Sequence, residues 1–418
     1  MDSLPRTFQD AIKVTKGLGI RYIWIDSLCI IQDSEDDWAI EASRMCSVYS
    51  NAAVTIAADG SSDGTGGLSP PAILDEGRST PFVVQPRCKE NDSPIFVRIH
   101  GNCSDYGSRR FLSDQPLSRR AWTYQEALLS PNILHFTTAE VVWECNTCFR
   151  CECRVKSSSY SGRNDATHEN QRFSWRLVVE DFTNRELTYE TDRLPAISGI
   201  ARAKGNAATD YFCGHWRDEL LPSLCWVRRW YRGRAFPSHR HKDYYAPTWA
   251  WSSITCSVYM GIDHYKPHLV MSEVLEVHCE LATKNSFGHV RSGHIRIQGP
   301  TFKVFVDPPV YDERVKMKPE VDSGEHELLD LSWHMTVDVN EPCFEFDVGE
   351  PLLALLLVTD TPPKGTNEGL GIVLRECHGT PGTYKRIGRI EVSTIGTATR
   401  SVWNHELLRR SSEILTVI

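Results

Sequence analysis

The sequence predicts an α/β layer with helices on its faces, then a helical middle and a β-rich C-terminal module. Three observations predict it. Helical and strand-like stretches alternate from Leu4 to Ala58, three more helical stretches follow between Arg172 and Val227, and after Pro247 the pattern changes to short β-prone runs separated by Gly, Pro and Asp.

In order along the chain, Phe8, Ala11, Ile12 and Leu18 recur at helical spacing, and Gly17 and Gly19 mark the end of an amphipathic helix. Arg21 to Ile31 is β-branched, aromatic and nearly continuous in apolarity, the pattern of a central strand covered on both faces. Ser34 caps a helix with an acidic first turn and a stripe of Trp38, Ala42, Met45 and Tyr49. Ala53 to Ala58 is the next strand. A Gly/Ser/Pro loop spans Asp59 to Pro71, and Phe82 to Val84 and Ile95 to Ile99 are short strands of an insertion over 59–115. A helix over Ser118 to Leu129 leads into strands at Ile133 to Phe136 and Glu140 to Cys145, and Lys156 to Gln171 is a polar, mobile loop. Helices are expected near Arg172 to Leu187, Asp192 to Lys204 and Trp216 to Val227. The β-prone runs, among them His294 to Gln298, Leu352 to Val358 and Arg386 to Val392, form a sandwich or barrel. The expected domains are 1–155, 156–245 and 246–418.

Composition narrows the function. The 418 residues carry 46 Lys plus Arg against 54 Asp plus Glu, a formal net charge of −8 that argues against general affinity for nucleic acid. The apolar runs are far shorter than the roughly 20 residues of a membrane helix. Fourteen cysteines in a chain of this size, opening without a basic-then-apolar leader, are read as reduced cytoplasmic thiols.

Several motif blocks together resemble one family. Leu4-Pro5-x-Thr7-Phe8-x-Asp10-Ala11-Ile12 precedes Trp24-Ile25-Asp26-Ser27-Leu28-Cys29-Ile30-Ile31-Gln32-Asp33, then Trp38, Met45 and Tyr49-Ser50-Asn51-Ala52. Arg119-Arg120-Ala121-Trp122-Thr123-Tyr124-Gln125-Glu126, Leu128-Leu129-Ser130-Pro131 and Trp143-Glu144-Cys145 follow. In order and spacing these resemble the HET (heterokaryon incompatibility) domain of filamentous fungi over about Leu4 to Cys145. Asp192 to Gly199 and Ala246 to Ser253 look like segments that commonly follow it. The resemblance implies a small, TIR-like, doubly wound α/β domain and a role in non-self recognition and regulated cell death. HET domains usually begin with an upstream strand resembling Tyr-x-Ala-Leu-Ser-Tyr-x-Trp-Gly. This sequence starts after its place, so the domain is expected to be N-terminally shortened with an open sheet edge, or the gene model to be truncated.

In catalytic TIR domains a Trp-Cys-x-x-Glu helix supplies a glutamate that assists cleavage of the nicotinamide–ribose bond of NAD. Trp122 and Glu126 have that separation, which places both on one helix face. The resemblance therefore implies NAD as a substrate, with Glu126 and Asp26 catalytic and Trp122, Arg120, Gln125, Trp24 and Gln32 binding the substrate. A carboxylate beside an oxocarbenium-like centre is suited to such a cleavage. The same helix also reads as structural, with Glu126 paired to an arginine, and Asp26 as a buried carboxylate paired with Arg120.

Other groups are weighed the same way. Cys29 reads as a buried core thiol and His135 as a core or surface histidine. Cys145, Cys148, Cys151 and Cys153 form CxxCxxCxC, cramped for a zinc tetrahedron, and read as independent thiols before metal ligands. Arg228 to Lys242, basic and aromatic, reads as a solvated linker before a phosphate or single-strand clasp. Two further functions stay open. The scaffold could serve a small-molecule cyclase or isomerase of fungal secondary metabolism, or a non-catalytic module meeting a partner protein or a second copy through its sheet edge.

Overall fold

The computed structural model describes residues 3–68, 82–84, 95–97, 115–138, 140–151, 157–158, 174–205, 210–231, 234–235, 238–261, 268–283, 285–307, 314–320, 331–339, 349–360, 368–394 and 412–418. The chain divides into two compact units: Met1–Ser174 with Arg185–Leu187, and Trp175–Asn184 with Thr188–Ile418.

In the first unit, α1 (Arg6–Gly17) and α3 (Glu35–Ser50) lie where their periodicity predicts, and the Ser34 hydroxyl accepts the Asp37 N–H to cap α3. Between them the expected central strand is absent. Among the described residues Arg21–Ile25 belongs to no strand and pairs with none, and Asp26–Cys29 turns into one helical turn, α2. A strand exists only where a neighbour accepts its ladder hydrogen bonds. Without one, the apolar run is left in solvent: Tyr22, Leu28 and Ile31 are exposed.

The sheet itself is mixed. Strand β1 (Thr55–Ala57) runs parallel to β4 (Asn132–Phe136), which continues antiparallel into β5 (Val141–Cys145), β6 (Phe149–Cys151) and β7 (Ser157–Ser158). One parallel pairing among four is not the all-parallel core of a doubly wound sheet. The insertion contributes a separate hairpin, β2 (Phe82–Val84) and β3 (Ile95–Val97). Gly60 extends the β1–β4 pairing by donating to the Phe136 carbonyl at 2.8 Å, and a Cβ there would stand 2.8 Å from the Thr137 carbonyl carbon. A 3-10 turn (Leu117–Arg119) introduces α4 (Trp122–Leu129), shorter than the predicted helix. Ser130, at its C-terminal end, shares a 2.6 Å hydrogen bond with Thr55 and so ties α4 to β1.

The second unit begins with α5 (Trp175–Phe182), buried on one face, and α6 (Pro195–Lys204), buried all round from Ala196 to Ala201, and the third predicted helix shrinks to a 3-10 turn and α7 (Leu220–Ser223). Between α6 and α7 sits a tight hairpin, β8 (Tyr211–Phe212) with β9 (His215–Trp216), whose turn residues Cys213 and Gly214 have φ of 51° and 99°. Two positive φ values mark a type I′ turn. The Gly214 carbonyl accepts both indole N–H groups of Trp175 and Trp251, at 2.6 and 2.8 Å.

Short pairs follow: β10 (Val227–Arg228) with β13 (Val258–Tyr259), and β11 (Trp230–Tyr231) with β12 (Arg234–Ala235). The remaining strands are β14 (His268–Val270), β15 (Glu273–Leu281), β16 (Val290–Val306), β17 (Arg314–Pro319), β18 (Leu331–Val337), β19 (Leu352–Asp360), β20 (Glu368–Glu376), β21 (Thr383–Thr394) and β22 (Ser412–Val417). Because the end of β16 pairs with both β17 and β19, the path β16–β17–β18–β21–β20–β19 returns to β16. This ring is an antiparallel barrel, and closure removes its edges. Its interior holds Phe302, Val304, Met317, Trp333, Met335 and Ile390, each at most 2% exposed.

The basic stretch Arg228 to Lys242 is not a solvated linker. Arg228 is fully buried, and Arg240 donates to the Ser253 hydroxyl and the Arg386 carbonyl at 2.7 and 2.8 Å.

Candidate functional site

Helices α3 and α4 build the site, because the apolar stripe of α3 is the face that meets α4. Trp38 packs edge-on against Trp122 with ring centroids 6.1 Å apart, and Met45 faces Gln125. One turn further, Tyr49 stands beside Glu126, and its hydroxyl acts on the carboxylate. Trp24, from the extended segment, stands edge-on to Tyr49 at 5.8 Å.

Glu126 is the electrostatic centre. Burial raises its carboxyl from the ordinary value to about 7, helped by the negative charge of Asp26 and opposed by the Tyr49 hydrogen bond and the Arg120 charge. Burial, followed by the Glu126 charge, pushes the Tyr49 phenol well above its usual range, so Tyr49 remains a donor. Arg120 is held at the mouth of α4 by its backbone. The flanking amides and carbonyls of Arg119 and Ala121 bond to Glu186, and Thr123 donates to the Arg120 carbonyl.

The structure thus gathers Trp24, Asp26, Arg120, Trp122 and Glu126 into one neighbourhood. The two glutamines are engaged differently. Gln125 is 1% exposed and turned into the core, its amide 3.8 Å from the Met45 sulfur. Adjacent helical residues point about 100° apart. Gln32 is spent on main chain, donating to the carbonyls of Ile30 and Asp26 at 3.0 and 3.4 Å and closing the α2 turn. Tyr49 and Trp38 were not singled out as site residues; their presence on the stripe facing α4 was the available signal.

The remaining candidates separate. Cys29 is exposed at the end of α2, not buried, because the strand expected to bury it does not form. His135 is buried between two carboxylates: Nδ1 lies 2.7 Å from Asp59 Oδ2 and Nε2 lies 3.1 Å from Glu144 Oε2. Burial alone would lower its pKa, but the two carboxylates outweigh it and raise it to about 9, which fixes an imidazolium. Of the cysteine cluster, Cys145 and Cys148 stand 3.5 Å apart, Cys151 is buried, and Cys153 lies outside the described residues. Among the described residues no group of three or more His, Cys, Asp or Glu is arranged to hold a metal ion, and no helix is long and apolar enough to cross a membrane.

Chemically, the neighbourhood offers a carboxyl poised at neutral pH, a second carboxylate, one cation and three indoles. Two carboxyl groups whose environments differ can divide proton transfer and charge stabilisation between them.

The family model described as heterokaryon incompatibility protein (HET) matches residues 1–126, a span that contains every residue of this neighbourhood. No curated protein and no solved structure matches the chain.

Proposed function

We propose that the chain is a heterokaryon-incompatibility-type protein whose N-terminal unit cleaves the nicotinamide–ribose bond of NAD, as part of non-self recognition and regulated cell death. The observation that carries this reading is the Tyr49–Glu126 pair: a carboxyl held near 7 between Asp26 and Arg120, on the helix face shared with Trp122. In the reaction the C1′–N bond breaks with its electron pair leaving on nicotinamide, which departs neutral and needs no proton. The positive charge then lies on the ribosyl oxocarbenium, which the Asp26 and Glu126 carboxylates stabilise. Water adds at C1′ and passes its proton to Glu126, whose pKa matches neutral operation. Arg120 would meet a phosphate, and the indoles of Trp24 and Trp122 would wall the ring. Incubating the purified chain and Glu126→Gln with NAD, and following free nicotinamide by chromatography, tests the reading. Release by wild type that rises with pH through about 7 and falls at least 100-fold in the variant is expected; equal release by both, or none by either, would remove Glu126 from catalysis.

A second reading has its own observation. Among the described residues β1 is the end strand of its sheet and Arg21–Ile25 pairs with no strand, with Tyr22 76% exposed. As a non-catalytic module the chain would pair this segment with the β1 edge of a second copy. Sedimentation analysis of wild type and Ile23→Lys distinguishes it: a dimer lost in the variant supports it, and a monomer in both removes it.

A further inference from the structure

Two of the described cysteines sit where no core requires them. Cys145 ends β5 and Cys148 precedes β6, so they face each other across the two-residue turn Asn146–Thr147. The Cys145 N–H donates to the Cys148 carbonyl at 2.9 Å, which closes the hairpin, and the two Sγ atoms lie 3.5 Å apart. Hydrogen-bonded cross-strand partners have Cα atoms about 5.5 Å apart, within the span a disulfide bridges. Both residues are partly exposed.

We propose that Cys145 and Cys148 form a thiol–disulfide exchange site, in which Cys145 attacks a low-molecular-weight disulfide and Cys148 resolves the adduct. In the first step the Cys145 thiolate forms a bond to one sulfur of the small disulfide, whose S–S bond breaks and releases one thiolate. In the second, the Cys148 thiolate attacks the Cys145 sulfur, forming the Cys145–Cys148 bond and releasing the other half. The small disulfide is reduced to two thiols, and the protein dithiol is oxidised by two electrons.

The local chemistry divides these roles. Burial alone would raise the Cys145 thiol, but hydrogen bonds from the Thr147 hydroxyl and amide and from Cys148 outweigh it and hold it at about 6. The Cys148 thiol is displaced upward, by burial and then by its bond to Cys145. A low thiol paired with a higher one is an attacking and a resolving group. A second close pair, Cys213 and Cys279 at 3.4 Å, provides the contrast: Cys213 is 2% exposed, and burial drives its thiol far upward. Exposure and a stabilised thiolate therefore select the hairpin pair. The site adjoins Glu144, the carboxylate that holds His135, so an oxidised staple would stiffen the hairpin carrying that buried cluster.

The test uses the full chain in oxidised-to-reduced glutathione mixtures, acid-quenched, alkylated and mapped by peptide mass spectrometry. We expect a Cys145–Cys148 bond, with Cys213 and Cys279 still alkylated. Cys148→Ser should accumulate glutathione on Cys145, and Cys145→Ser should show neither adduct nor bond. At pH 6, Cys145 in Cys148→Ser should alkylate about tenfold faster than an ordinary peptide thiol, since its larger thiolate fraction outweighs its lower nucleophilicity. Cys145 left reduced while the exposed Cys29 is modified, or glutathione accumulating on Cys148 in preference to Cys145, would overturn the proposal.

Discussion

At the scale of single residues, Glu126 has a cost that can be measured apart from any reaction. Its folded pKa of about 7 lies above the ordinary 4.5, so the folded state binds more protons than the unfolded chain between those values. Stability therefore falls as pH rises from about 4.5 to about 7, and the charged carboxylate is a liability above that. Glu126→Gln keeps an oxygen to accept the Tyr49 hydroxyl and removes the charge. Thermal melts should show it more stable than wild type at pH 8, by about 1–3 kcal/mol, and equal to it near pH 4. A variant less stable than wild type at pH 8 would mean that the carboxylate holds the unit together. The residue types of this neighbourhood were legible in the sequence, because the Trp122 to Glu126 spacing is a helical one. Tyr49 was not legible as their partner, since a hydrogen bond between two helices has no sequence spacing. Gln125 shows the same limit: the sequence names it beside Glu126, and the packing of α3 on α4 turns it inward.

Elements show where local pattern suffices and where it does not. Helix α3 carries its cap and stripe in sequence, β1 and β5 fall within the predicted runs, and β4 starts one residue before its own. Arg21–Ile31 has an equally strong pattern and forms no strand, because a continuous apolar run asks for cover on both faces but does not supply the strand's partner. The β8–β9 hairpin is the opposite case, a short element fixed by long-range bonds. Gly214 has φ 99°, and an added Cβ would stand 2.5 Å from the Trp251 indole nitrogen. Gly214→Ala should therefore cost about 3 kcal/mol by chemical denaturation, combining backbone strain with displacement of a buried ring. Gly379→Ala, at φ 80° with open space around it, should cost only about 1 kcal/mol. Equal losses would show that side-chain packing at the hairpin contributes nothing.

At the scale of the whole molecule, each unit has a charged cluster buried in its interior. In the N-terminal unit it is the Asp59–His135–Glu144 cluster. In the C-terminal unit it is Arg386 with Asp338, both fully buried and joined by two 3.0 Å hydrogen bonds. Arg386 also donates to the carbonyls of Leu224 and Trp226 at 2.6 Å and lies 3.5 Å from the Trp226 ring centroid. It thereby links β21 of the barrel to the segment after α7. Arg386→Met leaves two carbonyls without their donor and the buried Asp338 carboxylate with Arg240 alone, 3.7 Å away, and should cost about 3–5 kcal/mol in denaturant titrations followed by tryptophan emission. Asp338→Leu combined with Arg386→Met should recover part of that loss; a double variant worse than the single one would contradict the pairing. The β-rich character of this region was plain from its short alternating runs. Its closure into a barrel was not, because closure depends on one long strand, β16, pairing with two neighbours at its end.

The claim on which the functional account rests is that Tyr49 and Glu126 share a carboxyl poised at neutral pH. A carbon-13 NMR titration of glutamate side-chain carboxyls, comparing wild type, Glu126→Gln and Tyr49→Phe, measures this directly. The account predicts one resonance titrating near 7 in wild type, absent in Glu126→Gln and moved to higher pH in Tyr49→Phe, where the donor favouring the ionised form is gone. A wild-type protein in which the Glu126 resonance titrates in the ordinary carboxylate range would contradict it.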